Sequence, residues 1–237
     1  MIGYYNYTVI LTYLSLLTAG AGIIVSLSGP NGHPYAGILC LLICGLCDAF
    51  DGKVARTKKD RSELECRFGI QIDSLSDIVA FGVLPACIGA AMLRSPVVSA
   101  YIARLTDVKY PVSLILRGLL YAILLWYMLA ATIRLAYFNV TEEERQKTES
   151  GCRKFYTGVP VTTAALIFPL TMVLQYTFGV DLTPVYYTLA LLMGFAFLSK
   201  IRIVKPGMRG ILILVGIGAV EFLLVLILHI IHIARHG

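Results

Sequence analysis

The sequence predicts an all-α fold, a polytopic bundle of helices integral to a membrane, and three observations carry that prediction. The 237 residues are 58% hydrophobic and 14% charged, with a mean hydropathy of +0.79. A chain this apolar cannot hide its nonpolar surface in one soluble core. Its apolar residues gather into stretches of about 20, the length of helix that crosses a hydrocarbon core roughly 30 Å thick. Its lysines and arginines collect in alternate connections between those stretches.

Seven spans are expected, at about 7–28, 36–56, 70–93, 112–138, 159–178, 183–200 and 210–233. The first lacks a basic leader, and its Thr18 to Gly29 end is a poor cleavage site, so it reads as a retained helix rather than a signal peptide. The second and third are strongly apolar but carry aspartates at the ends that face each other along the chain. The fourth is followed by the longest polar stretch, Thr141 to Lys154, which reads as a solvated loop or a short surface helix. The fifth has Pro160 just inside its start, where a missing amide donor costs nothing, with Thr157 and Gly158 suited to the N-cap region. A helix end placed there would attract anions. The sixth is the shortest. The seventh carries Glu221 at its middle, suited to a hydrogen bond with a neighbouring helix or to a subunit contact. It also carries His229, His232 and His236, which read as interfacial rather than metal-binding. With no linker, low-complexity tract or internal repeat, residues 1–237 form one transmembrane domain.

Orientation follows from Lys and Arg. With the amino terminus in the cytoplasm, the connections after spans two, four and six hold Lys58, Lys59, Arg61 and Arg67, then Arg145, Lys147, Arg153 and Lys154, then Lys200, Arg202, Lys205 and Arg209. The opposite side holds mainly Arg94, Arg104, Lys109, Arg117 and Arg235. The formal net charge of +6 belongs to this asymmetry and to anionic lipid headgroups. No soluble element exists to read a groove, which argues against nucleic acid as a partner. The six cysteines lie in spans or in connections assigned to the reducing side, so they read as thiols rather than as a disulfide scaffold. Cys44 and Cys47 have no second pair at zinc-ligand spacing.

Four aspartates stand out, because carboxylates set in hydrocarbon are costly and mark functional sites. In D-A-F-D-G-K-V-A-R, Asp48, Asp51, Gly52 and Ala55 fall at i, i+3, i+4 and i+7, one face of a helix. In G-I-Q-I-D-S-L-S-D, Gly69, Asp73 and Asp77 fall at i, i+4 and i+8, again one face. Two carboxylate ladders can therefore confront each other at the cytoplasmic end of adjacent spans. Divalent cations would relieve their repulsion, and hard oxygen donors select magnesium, manganese or calcium. Magnesium keeps positions open for substrate phosphates. Gly52, Ala55 and Gly69 lack bulk on the same faces, leaving room for a ligand against the backbone. Arg56 is the cation beside the ladder, able to pair with a phosphate or to bridge an aspartate.

This arrangement resembles the signature of the CDP-alcohol phosphotransferase family, D-x-x-D-G-x-x-A-R followed by G-x-x-x-D-x-x-x-D. Asp48, Asp51, Gly52, Ala55, Arg56, Gly69, Asp73 and Asp77 supply every signature residue. One departure is the spacer, twelve residues from Thr57 to Phe68 where the family usually has eight. The resemblance implies a six-helix core over about 1–206, with the span at about 210–233 additional. It implies a site in which Asp48, Asp51, Asp73 and Asp77 hold two divalent cations, Mg2+ or Mn2+. These would sit on the diphosphate of a CDP-linked lipid. Asp77 would also be the base, with Gly52, Ala55, Arg56 and Gly69 along the nucleotide part. A homodimer is expected on the same ground, while the Lys and Arg distribution places it in the cell membrane with its site facing the cytoplasm.

Phe68 to Ala86, Arg134 to Asn139, Phe155 to Val161 and Ser199 to Pro206 resemble the phosphatidylserine synthase branch. The expected substrates are then CDP-diacylglycerol and L-serine. Serine carries a carboxylate and an ammonium, and Arg134, Asn139 and Lys154 are its candidate contacts. Glycerol 3-phosphate or an inositol phosphate as acceptor is the nearest rival, and would call for a denser basic pocket. A cation transporter is a rival of another class. It would place its acids near the membrane midplane, between repeats and broken helices.

Overall fold

The computed structural model of the protein describes residues 3–28, 34–94, 110–148, 155–204 and 207–236. The chain is an all-α polytopic membrane protein with seven helices among the described residues: α1 Ile10–Leu27, α2 Pro34–Ala55, α3 Glu63–Met92, α4 Tyr110–Thr148, α5 Ala164–Phe178, α6 Thr183–Leu198 and α7 Met208–His236. Five stretches, Tyr7–Leu27, Glu63–Met92, Leu114–Arg145, Val161–Phe178 and Arg209–Leu228, are long and apolar enough to cross a membrane. Helix α6 is apolar but only 16 residues long, ending at Leu198 where the Ser199 hydroxyl bonds the Ala196 carbonyl at 2.7 Å. Helix α2 has 22 residues, and its last turns carry Asp48, Asp51 and Lys53.

Helices α1 and α2 pack tightly, and small residues make the approach possible. A Cβ on Gly22 would stand 2.7 Å from the Cβ of Cys40. This is how helices associate where lipid removes the hydrophobic drive. The centre is aromatic: the Tyr127 ring meets Phe168 edge-on at 5.5 Å and lies 5.6 Å from Phe197, while Phe168 lies 4.5 Å from Tyr186.

Those tyrosines also repair α3. The helix is α from Glu63 to Asp77, opens into a π turn at Ile78–Val83, and resumes as α from Leu84 to Met92. Pro85 has no amide hydrogen to give the Phe81 carbonyl. The Tyr127 hydroxyl donates to that carbonyl at 2.5 Å, and the Leu84 amide reaches back five residues to Val79. Two further hydroxyls, Tyr186 to Pro85 and Tyr187 to Gly89, satisfy α3 carbonyls at 2.6 and 2.9 Å. This π turn begins directly after Asp77.

Three expectations change. The third span begins at Glu63 rather than 70, because Ser62 caps it: its Oγ accepts from the Glu65 amide at 3.1 Å. The polar run after the fourth span is neither a loop nor a separate surface helix as far as Thr148. It continues α4, with Glu142–Arg145 at 2.6 Å and Glu144–Lys147 at 2.8 Å bracing its exposed end. Finally, Thr157 and Pro160 do not begin the fifth helix. Phe155–Thr157 is a short strand, β1, antiparallel to β2 at Arg202–Val204, with Tyr156 opposite Ile203. Gly158 then turns with φ +78°, its amide donating to the Ile201 carbonyl at 2.7 Å. Pro160 is extended and leads into a 3-10 turn at Val161–Thr163, so α5 starts at Ala164. A proline pushes the residue before it out of the helical region, which keeps Val159 and the turn together as a connection.

Candidate functional site

The facing ends of α2 and α3 carry the aspartates. Asp48 and Asp51 occupy the last two turns of α2, and Asp73 and Asp77 the last turns of α3 before its π turn. Ser76, buried beside Asp77, donates to the Thr12 carbonyl of α1 at 3.2 Å and fixes α3 against α1. Asp51 is buried, while Asp48, Asp73 and Asp77 are partly exposed.

The two ladders do confront each other. The carboxyls of Asp51 and Asp73 hydrogen-bond across the gap, Asp48 interacts with Asp73, and Asp77 feels Asp48, Asp73 and Asp51. Asp51 also accepts from the Gly52 amide. Two carboxyl groups in such contact need a proton or a cation between them. Among the described residues no three His, Cys, Asp or Glu side chains are gathered closely enough to hold a metal by themselves. The donor chemistry of the set, carboxylate oxygen throughout, is the kind that hard divalent cations take, with water and phosphate oxygens to complete the shell.

The glycines of the two ladders are covered by guanidinium groups. A Cβ on Gly52 would stand 3.3 Å from Arg56 Nη1, and one on Gly69 would stand 2.7 Å from Arg61 Nη2. The space expected to admit a ligand at Gly52 and Gly69 therefore holds arginine side chains. Arg56 is accordingly not the single cation there. Arg61 reaches the Ala55 carbonyl at 3.4 Å and the Glu65 carbonyl at 3.5 Å.

The connection that delivers Arg61 is pinned from three sides. Its residues 56–62 link the helices, and the second half of the twelve-residue spacer is the first turn and a half of α3. Buried Glu65 accepts from Lys58 Nζ at 2.9 and 3.2 Å and from the Asn6 side chain. Hydrogen bonding to Glu65 holds the Lys58 ammonium above the usual lysine range. The Tyr4 ring packs 5.3 Å from Phe68. Sequence reasoning missed Arg61, Glu65 and this clamp. The signal was present in Ser62-Glu63-Leu64-Glu65, a capping-box pattern that starts a helix at Glu63.

The expected serine contacts divide. Asn139 on α4 donates to the hydroxyl of Ser74, next in sequence to Asp73 on α3, at 2.7 Å. Arg134 is buried, donates from Nε to the Val159 carbonyl at 3.3 Å, and lies over the Phe138 ring at 5.5 Å. It braces the turn at Gly158, where a Cβ would come within 3.2 Å of its Nε. Lys154 lies outside the described residues. Glu221 is buried on α7, away from these contacts, with Oε2 lacking a hydrogen-bond partner. His229, His232 and His236 fall in α7, and their side chains lie outside the described set. Among the described residues Cys40, Cys44, Cys47, Cys66 and Cys87 are free thiols.

Residues 5–196 match the family described as CDP-alcohol phosphatidyltransferase. The chain is 25% identical over 174 residues to the CDP-diacylglycerol–serine O-phosphatidyltransferase of Mycobacterium bovis, which covers 73% of this chain and 52% of that protein. It is 31% identical over 153 residues to the archaetidylserine synthase of Methanothermobacter thermautotrophicus, covering 65% and 53%. To the CDP-diacylglycerol–serine O-phosphatidyltransferase of Saccharomyces cerevisiae it is 34% identical over 129 residues, covering 53% and 38%. The chain thus spans about half the length of the first two relatives and less of the third.

Proposed function

We propose that this chain, which belongs to the CDP-alcohol phosphatidyltransferase family, transfers a phosphatidyl group from CDP-diacylglycerol to L-serine, giving phosphatidylserine and CMP. The observation that carries the reading is the pair of aspartate ladders meeting across α2 and α3, with Asp51 and Asp73 in direct contact. That meeting gathers four carboxyl groups at one end of the bundle, where a ligand brought with cations would relieve their repulsion. Relatives named for serine transfer support serine as the acceptor.

Asp48, Asp51, Asp73 and Asp77 would hold two divalent cations, Mg2+ or Mn2+. When bound, such ions neutralise a diphosphate and stabilise the departing nucleotide. The protein residues do the rest. Asp77 accepts the proton of the serine hydroxyl as its oxygen forms a bond to the lipid-side phosphorus. The bond from that phosphorus to the CMP oxygen breaks, and CMP leaves with the electron pair. No nucleophilic side chain with a paired base lies among these groups, so direct displacement without a covalent enzyme intermediate is the simpler path. Asn139, tied to α3 by its bond to Ser74, would contact the serine, while Arg134 holds the wall at Val159. We place the site on the cytoplasmic side and the working unit as a homodimer.

The test is CMP release by purified full-length chain with CDP-diacylglycerol and Mg2+ or Mn2+, adding L-serine, glycerol 3-phosphate or an inositol phosphate one at a time. Serine-dependent release abolished by chelation is the expected result. Release with a phosphorylated alcohol and none with serine would overturn the acceptor assignment. Running diester and diether CDP-lipids in parallel settles which linkage is taken.

A further inference from the structure

Arg61 comes from the connection that is four residues longer than the spacer usual in the signature. An arginine offers five donors and no acceptor. Here Nη1 and Nη2 meet backbone carbonyls at 3.4 and 3.5 Å, beyond the usual hydrogen-bond range, and Nε is buried with no partner. The group is rich in donors, short of acceptors and held in place by packing on Gly69.

Its position says what it faces. Ala55 lies four residues beyond Asp51 along α2, and Gly69 four residues before Asp73 along α3. Four residues of helix are about 6 Å, so the guanidinium bridges the two helices one turn outside the carboxylates. A diphosphate held at the carboxylate level would extend its nucleoside outward to that turn. On the reading that the chain binds a CDP-linked lipid, we propose that Arg61 recognises the cytidine end. Cytosine presents O2 and N3 as adjacent acceptors, a pair that the planar guanidinium fork can match. Uracil carries a hydrogen on N3 and breaks the match. The Glu65 clamp on Lys58 and Asn6 fixes the connection around Arg61, which makes it a specificity residue supplied by the long spacer.

Calorimetric titration of the full-length chain in detergent with Mn2+, using CMP, UMP and inorganic pyrophosphate, tests this. Wild type should bind CMP more tightly than UMP. Arg61→Ala and Arg61→Lys should each weaken CMP by about tenfold or more, the size of a charged hydrogen bond, and erase the preference over UMP. Pyrophosphate affinity and the thermal unfolding midpoint should stay near wild type. If Arg61→Ala does not fold, Arg61→Lys, which keeps the charge but loses the fork, carries the test. Unchanged CMP affinity in a folded variant, or equal losses for CMP and pyrophosphate, would overturn the inference and leave the functional reading standing. Wild type that binds no CMP would remove both.

Discussion

The two halves of the candidate site are built differently. The donor half, on α2 and α3, is made of residues close in sequence whose helical spacing alone puts them on facing sides. The proposed acceptor half rests on α4 and the β1 to α5 connection, elements that meet only in the folded bundle. In the first half a side chain's neighbours are set by local periodicity. In the second they are set by packing: Arg134 ends at Val159, 25 residues on, and Asn139 at Ser74, 65 residues back. Donor-half substitutions should therefore remove chemistry and leave the fold, while acceptor-half substitutions should disturb both.

The sharpest break between the halves is Asp77→Asn. It keeps shape and removes a base, so serine-dependent CMP release should fall by about 10²- to 10⁴-fold, the range for losing a positioned acid or base. The unfolding midpoint should not fall, since removing one of four crowded anions relieves repulsion. A variant that retains wild-type turnover would take Asp77 out of the base role.

Arg134→Ala should behave in the opposite way. It leaves the Val159 carbonyl without this donor and empties a buried volume beside Gly158, so a loss of about 1.5–3 kcal/mol in stability is expected, with a raised KM for serine. Asn139→Ala loses a contact to Ser74 in a partly buried place, and should raise the serine KM with a smaller change in stability. Equal serine incorporation by the Asn139 variant at low serine would detach it from the acceptor pocket. Tyr127→Phe tests the frame behind both halves. Its hydroxyl donates to the Phe81 carbonyl that Pro85 leaves open, and about 1–3 kcal/mol of stability should go with it.

This contrast explains what could be read in advance. The helices were legible because lipid demands long apolar runs, and the facing aspartates because a period of 3.6 fixes which residues share a face. The π turn keeps that legibility intact only because it begins after Asp77. Had it begun at Asp73, the spacing would have misled. The β1–β2 ribbon was not legible: Phe155–Thr157 and Arg202–Val204 are three residues each, and pair across two helices. Pro160 followed a rule true of helix starts and was misplaced by it, since Gly158 and the ribbon hold the chain extended for several more residues. Arg61 was hidden differently. As one of several basic residues in a connection, it read as part of the charge asymmetry, and only the packing on Gly69 singles it out.

The smallest effect concerns the clamp, and it sharpens the comparison from the donor side. Lys58 and Glu65 belong to the locally built half, yet Asn6 joins them from the amino-terminal segment. The Lys58 ammonium is held above its ordinary range by hydrogen bonding to Glu65. A group whose folded pKa is raised contributes its stability fully below the unfolded pKa and loses it as pH rises through the folded one. Glu65, held below the usual carboxylate range by the same bond, loses its share as pH falls, so the clamp should be constant through neutral pH and weaken at both the acid and the alkaline end. Lys58→Met should leave turnover nearly unchanged near neutrality, because the Asn6 side chain still bonds Glu65 and the Ser62 cap still holds the start of α3. Its effect should appear as faster amide hydrogen exchange across residues 57–65, where the connection loses one of its fixed points. If exchange there matches wild type, Asn6 and the Ser62 cap suffice to hold the connection, and Arg61 owes its place to Gly69 alone.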